Sequence, residues 1–233
     1  MVTADTIREN WLRIKDDIFE TAISCGRNPN DISIITVSKK HPLHQIIHAY
    51  DAGARIFGEN YAQECRDKIL EAEQIHFFPE WHFIGSLQTN KAKYIVPKAS
   101  LIHSVSSIQL AEELHKLSKK HQVTTSILVQ VNTSGESSKS GITPSETIDF
   151  VHSLSIYDTL KVKGFMTLPT FTENHSQLAS EFALLRNIRD NCSTMILGNY
   201  LSMGMSSDYK IAVQEGATHV RIGTAILGER ISL

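Results

Sequence analysis

Eight short apolar segments recur along this chain, and a segment with helical spacing follows nearly every one. No other feature narrows the fold as far. The apolar segments are 32–39, 55–60, 81–85, 101–105, 125–132, 160–168, 195–201 and 219–222. Each is rich in Ile, Val, Leu or aromatic residues and too short for a buried helix, so each reads as a strand. The intervening stretches read as helices: from Pro42 to near Gly53, Ala62–Gln74, a stretch holding Lys91 and Lys93 and ended by Pro97, 107–120, Pro144–Leu154, 175–190 and Tyr209–Glu215. An additional helix leads the chain over 4–24, with Ile7, Trp11, Ile14, Ile18 and Ala22 on one face. Strict alternation implies a parallel sheet. Eight units in 233 residues predict one α/β domain over 1–233, a (β/α)8 TIM barrel with an extra N-terminal helix. An open doubly wound sheet is the rival, but no GxGxxG turn follows the first strand.

Charge and composition exclude several classes. A net charge of -2 gives no basic footprint for nucleic acid. No apolar run approaches the roughly 20 residues that span a bilayer. Asp5, Arg8, Glu9 and Asp16 make the N-terminus a polar helix and not a signal peptide. Cys25, Cys65 and Cys192 are scattered and odd in number, which predicts reduced thiols and a cytoplasmic protein. The 11 histidines show no HExxH pattern, and no metal is expected.

The first strand ends abruptly in Val37-Ser38-Lys39-Lys40, before His41-Pro42. In a barrel this end is the rim where ligands bind. Ile35, Val37 and Lys39 share one face by period-two alternation, which selects Lys39 over Lys40. Barrel closure sets strand eight beside strand one and makes Arg221 a neighbour of Lys39. Ser202–Ser207 after strand seven and Gly223-Thr224 after strand eight offer small residues, hydroxyls and backbone N–H groups suited to a phosphate dianion. Asp208 is placed to cap the next helix. The polar segment Thr133–Gly141 predicts a long mobile loop on the same rim. A lysine, an arginine and a phosphate cradle match the needs of pyridoxal 5'-phosphate (PLP). Its aldehyde condenses with a lysine amine, and its ring nitrogen is met by Asp or Arg. An arginine leaves that nitrogen unprotonated and the ring a weaker electron sink. A PLP-dependent amino-acid racemase and a cofactor-free sugar-phosphate isomerase are the alternatives these residues leave open.

Five motifs in this order carry a resemblance over essentially the whole chain. They are Val37-Ser38-Lys39, Phe57-Gly58-Glu59-Asn60-Tyr61-Ala62-Gln63-Glu64, Trp81-His82-Phe83-Ile84-Gly85-Ser86-Leu87-Gln88-Thr89-Asn90-Lys91, Leu201-Ser202-Met203-Gly204-Met205-Ser206 and Val220-Arg221-Ile222-Gly223-Thr224. Together they resemble the pyridoxal phosphate homeostasis proteins, the YggS/PROSC family, whose barrel is similar to that of alanine racemase, the fold-type III group. The resemblance implies Lys39 as the Schiff-base lysine and Arg221 as partner of the pyridine nitrogen. It implies Ser206, Gly223 and Thr224 as the phosphate site and Asn60 as a lining residue. His82, Ile84 and Met203 are implied to wall the ring. Ser86 and Thr89 depart slightly from the motif, which bears on loop detail only. The implied role is intracellular PLP (vitamin B6) and amino-acid homeostasis without dedicated turnover, with apo PLP enzymes as candidate partners. Racemisation needs a second acid–base group, for which Tyr61, Tyr200 and Tyr209 are the rim candidates. The chain ends at Leu233, nine residues after Thr224. We therefore expect no second domain to organise a racemase dimer, and a monomer.

Overall fold

A computed structural model describes residues 2–229. Eight parallel strands close a barrel in chain order: β1 (Ser33–Val37), β2 (Ile56–Glu59), β3 (Glu80–Phe83), β4 (Leu101–Val105), β5 (Thr125–Gln130), β6 (Leu160–Met166), β7 (Tyr200–Ser202) and β8 (His219–Ile222). Closure is made by β8 pairing with β1. The helices are α1 (Ala4–Ser24), α2 (Leu43–Asp51), α3 (Ala62–Gln74), α4 (Ile108–His121), α5 (Thr147–Leu154), α6 (His175–Asn191), α7 (Tyr209–Gln214) and the four-residue α8 (Thr224–Leu227). The (β/α)8 expectation holds. Leu233, on which the single-domain reading leaned, lies outside the described residues.

Three local expectations are corrected. The seventh strand is Tyr200–Ser202 and not 195–201, because Met195 and Leu197 are exposed on a turn and have no layer to pack against. The stretch around Lys91 and Lys93 is a 3₁₀ turn, Thr89–Tyr94. The short helix α8 follows strand eight directly, where a loop was expected.

Two apolar layers result. Every second strand residue points outward, and Phe57, Phe83, Phe165 and Ile222 meet the helices there. The barrel interior holds a smaller cluster, Leu101, Leu128 and Met166 with Tyr200, beside inward polar side chains. The leading helix begins at Thr3, whose hydroxyl accepts from the Thr6 N–H. Asn10 donates to the Ile226 carbonyl, and Tyr209 donates its hydroxyl proton to Asp17 at 2.6 Å. These bonds tie α1 to α7 and α8, behind the loops that follow β7 and β8.

Candidate functional site

The C-terminal ends of the strands form one rim. A side chain added at Gly58 would strike Ile35 and Ile84, and one added at Gly223 would touch Val37, so these residues face the barrel interior. Lys39 lies two residues beyond Val37, in the turn that follows β1, and is half-buried. Lys40 adopts a left-handed backbone, φ 61°, and is exposed, so the chain turns outward there.

Arg221 lies deeper than the sequence suggested. It is paired with Ile35, four residues before Lys39. Arg221 on β8 therefore sits deeper in the barrel than Lys39, which follows the end of the adjoining strand β1. Arg221 is only 4% exposed. Its Nη1 donates to Ser202 Oγ at 2.7 Å and its Nη2 to the Thr167 carbonyl at 2.8 Å. Burial pulls its pKa down to about 10, against the opposing charge of Asp208. The guanidinium thus stays charged at neutral pH, yet among the described residues it makes no salt bridge.

The loop after β7 turns at Gly204, whose φ is +90° and whose added Cβ would lie 2.6 Å from Ala212 Cβ. Only glycine fits that approach. Asp208 does not cap α7 as expected. Its carboxylate turns back and accepts the Met205 N–H at 2.6 Å, bracing the loop that presents the exposed Ser206. Burial raises the Asp208 pKa, and the Met205 N–H and Arg221 oppose that. Gly223 directly precedes α8, and Thr224 opens it. The first N–H groups of a helix have no acceptor within it.

Asn60 and Ile84 share a cavity of ≈ 210 Å³ at the rim with Gly85, Gln130, Lys139, Ser140, Met166 and Leu168. The Asn60 Oδ1 atom is buried without a hydrogen-bond partner. Two other expected ring neighbours are corrected. Met203 is fully buried in the layer between barrel and helices, because Ser202 takes the inward position. His82 faces the interior at the opposite end, bonded to Glu80 and His103 and lining the N-terminal mouth. The tyrosines also separate. Tyr200 packs its ring against that of His219 at the N-terminal mouth, tilted by 52° with centroids 4.5 Å apart, and Tyr209 is bonded to Asp17. Of the three, Tyr61 alone is exposed.

Beneath Lys39 lies a network that sequence reasoning missed. Ser38 Oγ donates to Glu59 Oε1 at 2.6 Å. Lys68 Nζ donates to that same oxygen, to the Ser38 carbonyl and to Glu64 Oε1 at 2.6–2.8 Å. Glu64 also accepts the Lys40 N–H. Four side chains thus clamp the backbone on both sides of Lys39. Burial raises the Glu59 pKa even though Lys68 opposes it. The available signals were the four-residue spacing of Glu64 and Lys68 in a predicted helix and the acidic residue inside the Phe57–Asn60 motif.

The family described as "Alanine racemase, N-terminal domain" matches residues 3–231. A pyridoxal phosphate homeostasis protein of Aquifex aeolicus is 37% identical over 224 residues, 95% of this chain and 97% of that protein. The chain belongs to the pyridoxal phosphate homeostasis protein family. PipY of Synechococcus elongatus, solved with PLP bound, superposes with a TM-score of 0.79 at 32% identity, covering 91% of this chain and 100% of that one. Alanine racemase of Streptomyces lavendulae superposes with a TM-score of 0.75 over 97% of this chain and 60% of its own. At 14% identity that likeness is one of fold. The family thus unites with the racemases in its barrel, and the strand-end lysine and the inward arginine of β8 stand in this chain's share of it.

Proposed function

We propose that this protein binds PLP reversibly through Lys39 and serves intracellular PLP and amino-acid homeostasis, without dedicated turnover. The observation that carries this reading is the buried Arg221, charged and in no salt bridge among the described residues. A buried guanidinium without a carboxylate is costly unless something else accepts from it. A pyridine nitrogen is such an acceptor. When bound, PLP supplies an aldehyde for a lysine, a phosphate dianion, and a ring nitrogen para to the aldehyde carbon. That para relation matches a lysine and an arginine offset along neighbouring strands. Arg221 donates and accepts nothing, so it holds the ring nitrogen unprotonated. We assign the phosphate to Ser206, on the loop after β7, and to Gly223 and Thr224, at the start of α8. At Gly223 an added Cβ would come into ordinary contact with Val37 at 3.4 Å, so Gly223 borders β1 below Lys39. Asn60 offers its unpartnered Oδ1 to the same mouth.

The relative from Aquifex aeolicus bears the homeostasis name, and PipY was solved with PLP. Both support the reading. We place the protein in the cytoplasm as a monomer, with apo PLP enzymes as candidate receivers. The racemase alternative would need Tyr61, the exposed tyrosine of the three, as its second acid–base group.

The test is direct. The protein mixed with PLP should develop a visible absorbance band, and borohydride should fix the label. Peptide mapping should find it on Lys39, and Lys39→Ala should lose the band. A label mainly on Lys40 or Lys139 would overturn the assignment. Pyridoxal without its phosphate should bind far more weakly, since charge-assisted bonds to an anion contribute about 1.5–3 kcal/mol each. Incubation with L-alanine in deuterated water should give no steady D-isomer.

A further inference from the structure

A file of polar side chains runs through the barrel from its N-terminal mouth to Arg221. Glu80 Oε1 lies 2.9 Å from His82 Nε2. His82 Nδ1 lies 3.0 Å from His103 Nε2. His103 Nδ1 lies 2.9 Å from Ser202 Oγ, which lies 2.7 Å from Arg221 Nη1. His82, His103, Ser202 and Arg221 are all at most 4% exposed, while the Glu80 side chain is 48% exposed beside a cavity of ≈ 280 Å³. The file therefore joins solvent at one pole of the barrel to the deepest residue of the cofactor site.

Hydrogen-bond accounting gives this file one direction. The Glu80 carboxylate accepts only, so His82 carries its proton on Nε2. With its proton on Nε2, His82 accepts at Nδ1, and His103 donates from Nε2. Neutral His103 accepts at Nδ1, and its donor is the Ser202 hydroxyl. With its proton committed to His103, Ser202 turns its lone pairs to Arg221. The reverse order would put a donor of His103 on Ser202 Oγ and leave the serine proton with no acceptor among the described residues. Only the first order satisfies every atom. The Thr167 carbonyl fixes the second guanidinium nitrogen. The remaining guanidinium N–H groups are then free to serve the rim side.

We infer that Glu80, His82, His103 and Ser202 are positioning residues. Their one-way hydrogen-bonded file orients the Arg221 guanidinium as donor to the ring nitrogen of the bound cofactor. The inference rests on the PLP reading above. It goes beyond it by extending the cofactor site across the barrel axis to Glu80 at the far mouth. Neighbouring charges fit the scheme. Burial, with His82, His219 and Arg221 nearby, holds the His103 pKa well below its usual value, so His103 remains neutral at pH 7. Glu80 is held below the ordinary carboxylate value, chiefly by its bond from His82, and stays ionised.

Two measurements test this. In the cofactor-free protein, ¹⁵N spectra of the histidine rings should show His82 and His103 as neutral Nε2–H tautomers. An Nδ1–H tautomer at His103, or a ring protonated on both nitrogens at pH 7, overturns the file. In the loaded protein, Ser202→Ala and Glu80→Gln should shift the visible band of the bound cofactor. Ser202→Ala should also release PLP about tenfold faster or more. Glu80→Gln sits at the solvent edge, so it keeps the test open if Ser202→Ala does not fold. A merely structural role would lower the melting temperature without moving the band. A wild-type protein that takes up no PLP overturns the proposed function and the file's role with it. A wild-type protein that binds, with variants whose band and tautomers are unchanged, overturns the file alone.

Discussion

Lys68 is the residue on which the geometry around Lys39 most depends. Its side chain is 9% exposed and its ammonium meets three oxygens, one of them on a carboxylate with no exposure at all. Glu59 Oε2 has no partner, so the lysine is the main compensation for a buried negative charge. Removing one partner of a buried pair strands the other. Lys68→Met should therefore destabilise the fold by about 3–5 kcal/mol, read as a fall in the urea midpoint. It should also free the Ser38 carbonyl and loosen the backbone that presents Lys39, weakening PLP retention. A loss below about 1 kcal/mol would show that Glu59 is already neutral in the folded protein, since a neutral acid leaves no stranded charge.

At the scale of elements, the segment 133–141 is more tethered than its composition suggested. Its polar, glycine-rich sequence reads as mobile, and it does border the rim cavity. Yet Asn132 Nδ2 donates to the Glu136 and Lys139 carbonyls, Lys139 Nζ to the Pro169 carbonyl at 2.7 Å, and Gln130 Nε2 to the Ser140 carbonyl. The Asn132 amide is bonded to the Ile142 carbonyl and the Ile142 amide to that of Gln130. Amide exchange should then be slow at Asn132 and Ile142 and fast only at the exposed tip, 135–138. Uniformly fast exchange from 132 to 142 would contradict the tethering. Such ties reach across to β5 and to the loop after β6, so no local pattern announces them. The strand order was legible for the opposite reason. Strands buried on both faces read as continuous apolar runs between helical segments. That logic failed at 195–201, where apolar residues face solvent. It placed Lys39 and Arg221 on adjoining strands but not their offset, because register depends on barrel shear. It also misplaced Met203 and His82, whose facing depends on which alternate residues point inward.

For the molecule as a whole, the barrel interior sets the response to acid. His103 and His219 are buried among other histidines and Arg221, and burial holds both below the ordinary histidine value, His219 at about 3. In the unfolded chain each titrates near pH 6.5. A depressed folded pKa means that the unfolded state binds the extra proton first. The contribution is therefore fully present above pH 6.5 and is lost as pH falls from there toward the folded value. Each such group costs about 1.4 kcal/mol per pH unit well below its unfolded pKa. Between pH 6 and pH 5 His219 alone should remove about 1 kcal/mol, and His103 acts in the same direction. Glu59 and Asp208 act in the other direction, since burial raises their pKa values and their neutral forms favour the folded state as pH falls. The histidine term is isolated by comparing slopes. Urea unfolding of the wild type and of a His103→Asn, His219→Asn variant should be followed from pH 7 to pH 5. The variant will be less stable at pH 7, because it loses ring packing and the His103–Ser202 bond. Its stability should nonetheless fall less steeply with acid by at least that amount. Parallel slopes for the two proteins would show that water reaches the interior histidines and that they titrate in the folded barrel as they do in the unfolded chain.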